Sequence, residues 1–284
     1  MMKKCFKYDF SYVIKTWWLA AVSLVLISFG AGWGFRNITL YSAAPNRHFI
    51  LEYGLIVVYI IAAGALGILT QVLLSIRLYT NFYSDEGYLT FTLPVKRSTL
   101  LKSKVLCGFV FELLTALTII TSIVIILAMV PSEHKEYFNL LQETICEFIQ
   151  WFILDIPNSE KIWFILYLFE MFLIGILALL GICTTLYMLI TLGATLVKKF
   201  KIGAIIGFIV GADYVFSIIS VAAGISFTLW IDAASYLFED KMNVTTVFWI
   251  VLFMFFALIV ILSTVITLFV NITQGLIDRK LNLQ

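Results

Sequence analysis

Long apolar blocks separated by short polar segments form the dominant pattern along the chain. Six blocks lie at about 16–35, 51–77, 105–130, 162–195, 202–230 and 247–271. About 20 helical residues, each rising about 1.5 Å, cross the roughly 30 Å hydrocarbon core of a bilayer. Because lipid offers the backbone no hydrogen-bond partners, helices are the expected spanning elements. The pattern therefore predicts an all-α polytopic membrane protein, with six transmembrane helices in a single domain over residues 1–284.

The composition supports a membrane protein. Hydrophobic residues make up 62% of the 284 residues and charged residues 13%, whereas a typical soluble domain is about half apolar and about a quarter charged. The first block follows a charged stretch, as in a signal peptide, but it is too long and lacks a small-residue cleavage site. We therefore interpret it as a retained span.

The distribution of positive charge predicts the orientation in the membrane. With the N-terminus inside, most of the 19 lysines and arginines fall on the inner side. The exceptions are Arg36, Arg47, Lys135, Lys161 and Lys241. Because cytoplasmic loops carry an excess of these residues, both termini are predicted to be cytoplasmic. A basic inner surface of this kind contacts the anionic lipid bilayer, and no nucleic-acid partner is expected.

Residues 1–15 combine an apolar stripe with lysines. The apolar side chains recur at helical spacing: Phe6, Phe10, Val13, Ile14 and Trp17. The lysines lie away from this stripe, a pattern typical of a helix in the membrane interface. We predict an amphipathic helix at the inner surface that turns into the first span at about residue 16. A frayed basic tail is the alternative.

Residues 131–160 show a second amphipathic pattern, on the predicted outer side. Apolar residues are interspersed with acidic ones such as Glu136, Glu143 and Glu147. The segment is too charged to span a bilayer and is predicted to form an extracellular interfacial helix. The sequence leaves open whether it covers an exit path or is a packed connection.

Three carboxylates within the predicted spans are candidates for function: Asp213, Glu170 and Glu112. A charged side chain at the bilayer centre costs about 2.5–3.5 kcal/mol on insertion scales, so such residues usually face a protein interior or a water-filled path. Each is therefore a candidate polar position in a translocation path. An interhelical hydrogen bond with Thr, Ser or Tyr is the alternative for Asp213. Glu112 lies only about two turns from the inner face, which favours a structural role for it.

Three glycines recur one helical turn apart at the start of the fifth predicted span. These residues are Gly203, Gly207 and Gly211. Small residues at this spacing let two helices approach closely. The pattern predicts helix packing, either within the chain or against a second copy.

The sequence lacks the signatures of an enzyme. Both histidines, His48 and His134, lie in outer segments, so no HExxH metal site is present. A GxSx match at 224–227 has no histidine after it in any span to activate the serine. The chain also lacks GxxxxGK[ST], so any ATPase that drives it must be a separate polypeptide. We predict a non-catalytic chain without cofactor, metal or intrachain disulfide.

Residues 78–104, here called the connecting segment, join the second and third predicted spans. A connection of about 27 residues exceeds the few residues that usually join helices in a bundle. Asp85, Glu86 and Gly87 predict a turn or helix start, and Pro94 predicts an interruption before a helix that continues into the third span. Aromatic residues mixed with charge favour docking to a soluble cytoplasmic partner. A helix on the lipid surface is the alternative.

The stretch "SDEGYLTFTLPVKRSTLLKSKV" resembles the intracellular segment of the small six-span permeases of type-2 ABC exporters, which are common in Gram-positive bacteria. In that family D-E-G-Y-L-T-x-T-L-P-V precedes a basic stretch and LxxSK. The match is close over about 22 residues and loose over the rest. Phe91 stands where many relatives have histidine. The resemblance implies that this segment contacts a separate ATPase through Asp85, Glu86, Gly87, Tyr88, Leu89, Thr90, Leu93, Pro94, Lys96, Arg97 and Lys104.

The resemblance also implies a function and an assembly. Two permease subunits, either identical or related, would bind two ATP-binding subunits and export an amphipathic peptide, an antibiotic or a lipid-like molecule across a bacterial cell membrane. Resistance to antimicrobial peptides is one expected role. The large outer segment lies between the third and fourth spans and not between the last two, so the family's extracellular gate does not transfer directly.

Two other classes of function remain open. The chain is alternatively a membrane-embedded sensor or assembly scaffold without a transport path. It is alternatively an ion-coupled secondary transporter that uses Asp213 or Glu170 as its coupling site. The latter fits the intramembrane carboxylates but not the long connecting segment or the lack of inverted repeats.

Overall fold

Helices account for nearly all of the structure, a computed structural model. It describes residues 2–40, 49–84, 86–92, 94–129, 158–196, 202–212, 214–215, 217 and 244–281. The helices are α1 (Met2–Leu40), α2 (Phe49–Tyr83), α3 (Glu86–Thr92), α4 (Arg97–Ala128), α5 (Asn158–Leu196), α6 (Ile202–Ala212) and α7 (Val244–Leu281). No strand occurs in these ranges, and the all-α prediction is confirmed for them.

Five of the helices, α1, α2, α4, α5 and α7, are long enough and apolar enough to cross a membrane. This architecture is that of a multi-pass membrane protein. The sixth predicted span, 202–230, begins with α6, whose continuously described part is Ile202–Ala212; residues 214, 215 and 217 are also helical. Most of its remainder lies outside the described residues, as do Asp213 and most of the predicted interfacial segment 131–160.

Helix α1 differs from its prediction. It runs without a break for 39 residues, so no turn separates an interfacial helix over residues 1–15 from the first span. The sequence has no glycine or proline before Gly30 to interrupt the helix. The apolar stripe also continues from Val13 and Trp17 to Leu24, all of which are buried. At about 1.5 Å per residue, α1 is nearly twice as long as the hydrocarbon core is thick.

The described chain divides into two compact units. Unit 1 comprises Met1–Leu78 and Lys102–Lys161. Its core joins α1, α2 and α4 through a buried cluster, against which further aliphatic side chains pack. The buried members are Leu24, Ala31, Tyr59 and Leu66. In the middle of α4, Phe111 is fully buried and its ring stacks on Phe10 with centroids 5.1 Å apart.

Unit 2 comprises Tyr79–Leu101 and Ile162–Gln284. Aromatic pairs join α5 to α7, including Trp163 and Trp249 with ring centroids 4.3 Å apart. Helices α5 and α6 approach most closely at Gly193, where an added Cβ would lie 2.8 Å from Cα of Ile205. Only glycine allows this approach without a shift of the backbone.

The predicted glycine stripe on α6 has more open space around it than Gly193 has. Nothing described lies within 4 Å of a Cβ added at Gly203, Gly207 or Gly211. Gly207 and Gly211 instead line a shallow apolar hollow with Met188 and Leu189 of α5. Their proposed role in helix packing stays a prediction.

Candidate functional site

The helix that the sequence predicts after Pro94 is confirmed, and α2 extends beyond the end of its predicted span. Residues 78–83 are the last turns of α2, and residues 97–104 are the first turns of α4. Burial explains these extensions, because Leu78 and Leu101 are only 1% and 2% exposed. The helices continue as long as they present apolar side chains to the protein interior. Between them, α3 is a separate helix of seven residues.

Backbone contact fixes the start of α3. The Gly87 amide donates a hydrogen bond of 2.8 Å to the carbonyl oxygen of Ser84. A Cβ at Gly87 would lie 2.9 Å from the carbonyl oxygen of Phe82, closer than a Cβ normally comes to another heavy atom. Glycine at this position therefore lets α3 begin directly against the end of α2.

Aromatic contacts hold the other end of α3. The rings of Phe82 on α2 and Phe91 on α3 have centroids 5.5 Å apart. The guanidinium group of Arg97 lies 6.0 Å from the Phe91 ring centroid, at the outer limit of a cation–π contact. Arg97 also donates a hydrogen bond of 3.4 Å to Asp278 near the end of α7. Both charged side chains are more than one-third exposed, so this ion pair adds little stability.

Several side chains of the connecting segment are exposed. Leu89 is 67% exposed. Glu86, Pro94 and Lys96 are also exposed, whereas Thr90 is half-buried. The segment thus presents one apolar side chain with charged groups nearby in the sequence.

The remaining predicted contact residues fall into two groups. Asp85, Leu93 and the side chain of Tyr88 lie outside the described residues. Lys104 lies in unit 1 and is buried, with 4% of its surface exposed. Its ammonium group contacts the carboxylate of Asp9.

Asp9 is a residue that the sequence reasoning missed. Its carboxylate accepts a hydrogen bond of 2.8 Å from Nε of Arg77 and bonds of 3.1 Å from Nζ of Lys104 to both oxygens. These three residues, here called the Asp9 cluster, come from α1, α2 and α4. The sequence contained one indication that Asp9 is buried. Asp9 lies three residues after Phe6 and four before Val13, on the apolar face of an otherwise basic segment.

A second set of polar contacts lies deeper in unit 1. The indole nitrogen of Trp17 donates to the hydroxyl oxygens of Thr70 and Thr115, each at 3.1 Å. The side-chain amide of Gln71 donates to the carboxylate of Glu112, which is 7% exposed. The predicted path residue Glu112 therefore has an interhelical partner, and its role in a translocation path stays a prediction.

Glu170 is also buried, on α5 in unit 2, where it interacts electrostatically with Tyr167. Its role in a translocation path stays a prediction. The structure describes no group of three or more histidine, cysteine, aspartate or glutamate residues that would hold a metal ion in the ranges given above. In the same ranges Cys5, Cys107 and Cys183 form no disulfide.

Comparisons with known proteins found no match to the chain among protein-family models, curated proteins or solved structures. A functional assignment therefore depends on the residues themselves and on the resemblance carried by the connecting segment.

Proposed function

We propose that the chain is the transmembrane subunit of an ATP-driven exporter and that a separate ATP-binding subunit docks on α3. The observation that carries this proposal is the short helix α3, which is fixed through Gly87 and Phe91 and presents Leu89 outward. The resemblance of the same residues to the ATPase-contacting segment of type-2 exporter permeases supports it.

The construction of α3 suits mechanical coupling. A flexible loop would absorb a movement of the partner, whereas a helix that packs against the end of α2 transmits it. Protein interfaces commonly use a central apolar side chain surrounded by polar groups. Leu89 is the proposed central contact, and Glu86 and Lys96 belong to the surrounding polar groups.

The proposed assembly contains two permease subunits, either two copies of this chain or one copy with a related permease, and two ATP-binding subunits. ATP hydrolysis takes place on the partner, and closure of the partner moves the connecting segments as rigid bodies. The permease has six spans in a bacterial cell membrane, with both termini in the cytoplasm. The cargo is an amphipathic peptide, an antibiotic or a lipid-like molecule, by analogy with the family.

Replacing Leu89 with glutamate is expected to weaken binding of the ATP-binding subunit by about thirtyfold, the effect of losing a central contact that contributes about 2 kcal/mol. Leu89→Met keeps an apolar side chain and should bind nearly as well as the wild type. Affinity capture of the tagged chain in mild detergent, followed by quantification of any bound P-loop ATPase, measures the effect.

The side chain of Leu89 is largely exposed, so the melting temperature of the Leu89→Glu protein should match that of the wild type. Equal capture of the ATPase by Leu89→Glu and wild-type chains would remove α3 from the proposed interface.

Ion-coupled secondary transport is a second candidate, favoured by the burial of Glu170. Such a transporter works without an ATPase. The purified chain alone, reconstituted in vesicles containing a pH-sensitive dye, would then move protons in response to an imposed gradient. The exporter proposal predicts that it does not.

A further inference from the structure

The Asp9 cluster joins three helices through one buried carboxylate. The side chains of Asp9 and Lys104 are 6% and 5% exposed, and that of Arg77 is 18% exposed. Two cations therefore share one anion in a place with little access to water. Removing one partner of a buried ion pair leaves an uncompensated charge, which is far more costly than losing a surface pair.

Neighbouring side chains constrain the cluster further. The guanidinium group of Arg77 lies 4.6 Å from the centroid of the Tyr12 ring, within cation–π distance. Tyr12 is three residues after Asp9, so α1 holds Arg77 by two side chains from adjacent turns. The planar guanidinium group is thus fixed in direction as well as in position.

The positions of the two cations along their helices relate the cluster to the connecting segment. Arg77 lies less than two turns before α2 ends at Tyr83, and Lys104 lies about two turns after α4 begins at Arg97. The two helix ends that flank α3 in the chain are therefore the two that Asp9 holds to α1.

We propose that Asp9 is a positioning residue, which makes α1 move together with the ends of α2 and α4 when the connecting segment moves. The source of that movement rests on the proposed function, whereas the contact between the three helices does not. The bond is electrostatic, so a carboxylate is required. Asp9→Glu should retain the coupled movement of the three helices, and Asp9→Asn should lose this movement.

The test uses two native cysteines as reporters. Cys107 lies one turn after Lys104 on α4 and is 2% exposed, and Cys5 lies one turn before Asp9 on α1 and is half-buried. Full-length chains that keep only one of these cysteines, with alanine at the other three cysteine positions, are treated with a membrane-permeant maleimide in native membranes. The labelling rate is measured over a range of pH, so that access to each thiol is separated from the fraction present as thiolate.

The first measurement needs no ATPase. Asp9→Asn should raise the labelling rate of Cys107 about tenfold or more, because Arg77 and Lys104 then repel each other without a carboxylate between them. Asp9→Glu should stay within about threefold of wild type. Lys102→Met, which removes an exposed charge two residues from Lys104, is the matched control and should leave the rate unchanged.

An unchanged Cys107 rate in Asp9→Asn would overturn the claim that this carboxylate holds the three helices. If Asp9→Asn does not accumulate, two substitutions of Arg77 replace it. Because a lysine at position 77 still places a cation beside Asp9, Arg77→Lys should stay within about threefold of wild type, and Arg77→Gln, which removes the cation of α2, is the decisive variant. A Cys107 rate in Arg77→Gln equal to that of wild type would overturn the claim in the same way.

The second measurement uses the chain with the ATPase that co-purifies with it. ATP with vanadate should change the labelling of Cys5 by about threefold or more in the wild type, and Asp9→Asn should abolish this change while still binding the ATPase. A Cys5 response that is equal in both proteins, or absent from the wild-type complex, would overturn the coupled movement. If no ATPase co-purifies, the proposed function fails, and the Cys107 measurement alone decides the role of Asp9.

Discussion

Phe111→Ala is expected to destabilise the chain by about 3 kcal/mol or more, the usual cost of deleting a buried phenylalanine side chain. Phe111 is 0% exposed and contacts two aromatic residues of α1. Its ring centroid lies 5.1 Å from that of Phe10 and 5.7 Å from that of Trp17. In a membrane, packing of this kind is the main force that holds helices together, so the cavity left by alanine is not offset by a hydrophobic gain elsewhere.

Thermal unfolding in detergent, followed by the loss of soluble monodisperse protein, measures this effect. Ile120→Ala is the matched control, because Ile120 lies on the same helix but is 56% exposed. We expect a clearly lower melting temperature for Phe111→Ala and a small shift for Ile120→Ala. Equal shifts for the two variants would contradict the packing of α1 against α4.

Gly87→Ala should reduce capture of the ATP-binding subunit about tenfold or more, since a displaced α3 no longer presents Leu89 correctly. The added Cβ would lie 2.9 Å from a backbone oxygen of α2, which cannot yield as a flexible side chain can. The start of α3 must therefore move. Quantified co-purification of the ATPase measures the loss.

Gly64→Ala provides the control for this substitution. Gly64 lies inside α2, and nothing described lies within 4 Å of its added Cβ. Alanine also favours a helix more than glycine does. Gly64→Ala should therefore keep full capture, and a loss of capture equal to that of Gly87→Ala would show that the effect is not specific to α3.

The sequence predicts helix type and approximate extent well, because long apolar runs have few other structures available in a membrane. Five of the six predicted spans coincide with long apolar helices. The end of α2 was not predicted, whereas the helix after Pro94 that continues into the third span was predicted and is confirmed. Burial of Leu78 extends α2 into the connecting segment, and burial depends on tertiary contacts that periodicity does not reveal.

The candidate site was predicted less completely. A turn at Gly87 follows from its place after Asp85 and Glu86, but the need for glycine there comes from the nearby carbonyl of Phe82. From the sequence alone, Lys104 is one of several cations near the inner surface. Only the fold brings it to Asp9, a residue 95 positions away. A single sequence contains no signal for that pairing.

The most direct test of the central claim is a photo-crosslink from position 89. A photoreactive phenylalanine analogue replaces Leu89 in the tagged chain, and the same analogue at Leu106, a 41% exposed position inside α4, serves as the control. Mass spectrometry of the products should identify a P-loop ATPase joined to position 89 and none joined to position 106. Crosslinks from position 89 to lipid alone, or to a protein without a P-loop, would contradict the proposal that α3 docks an ATP-binding subunit.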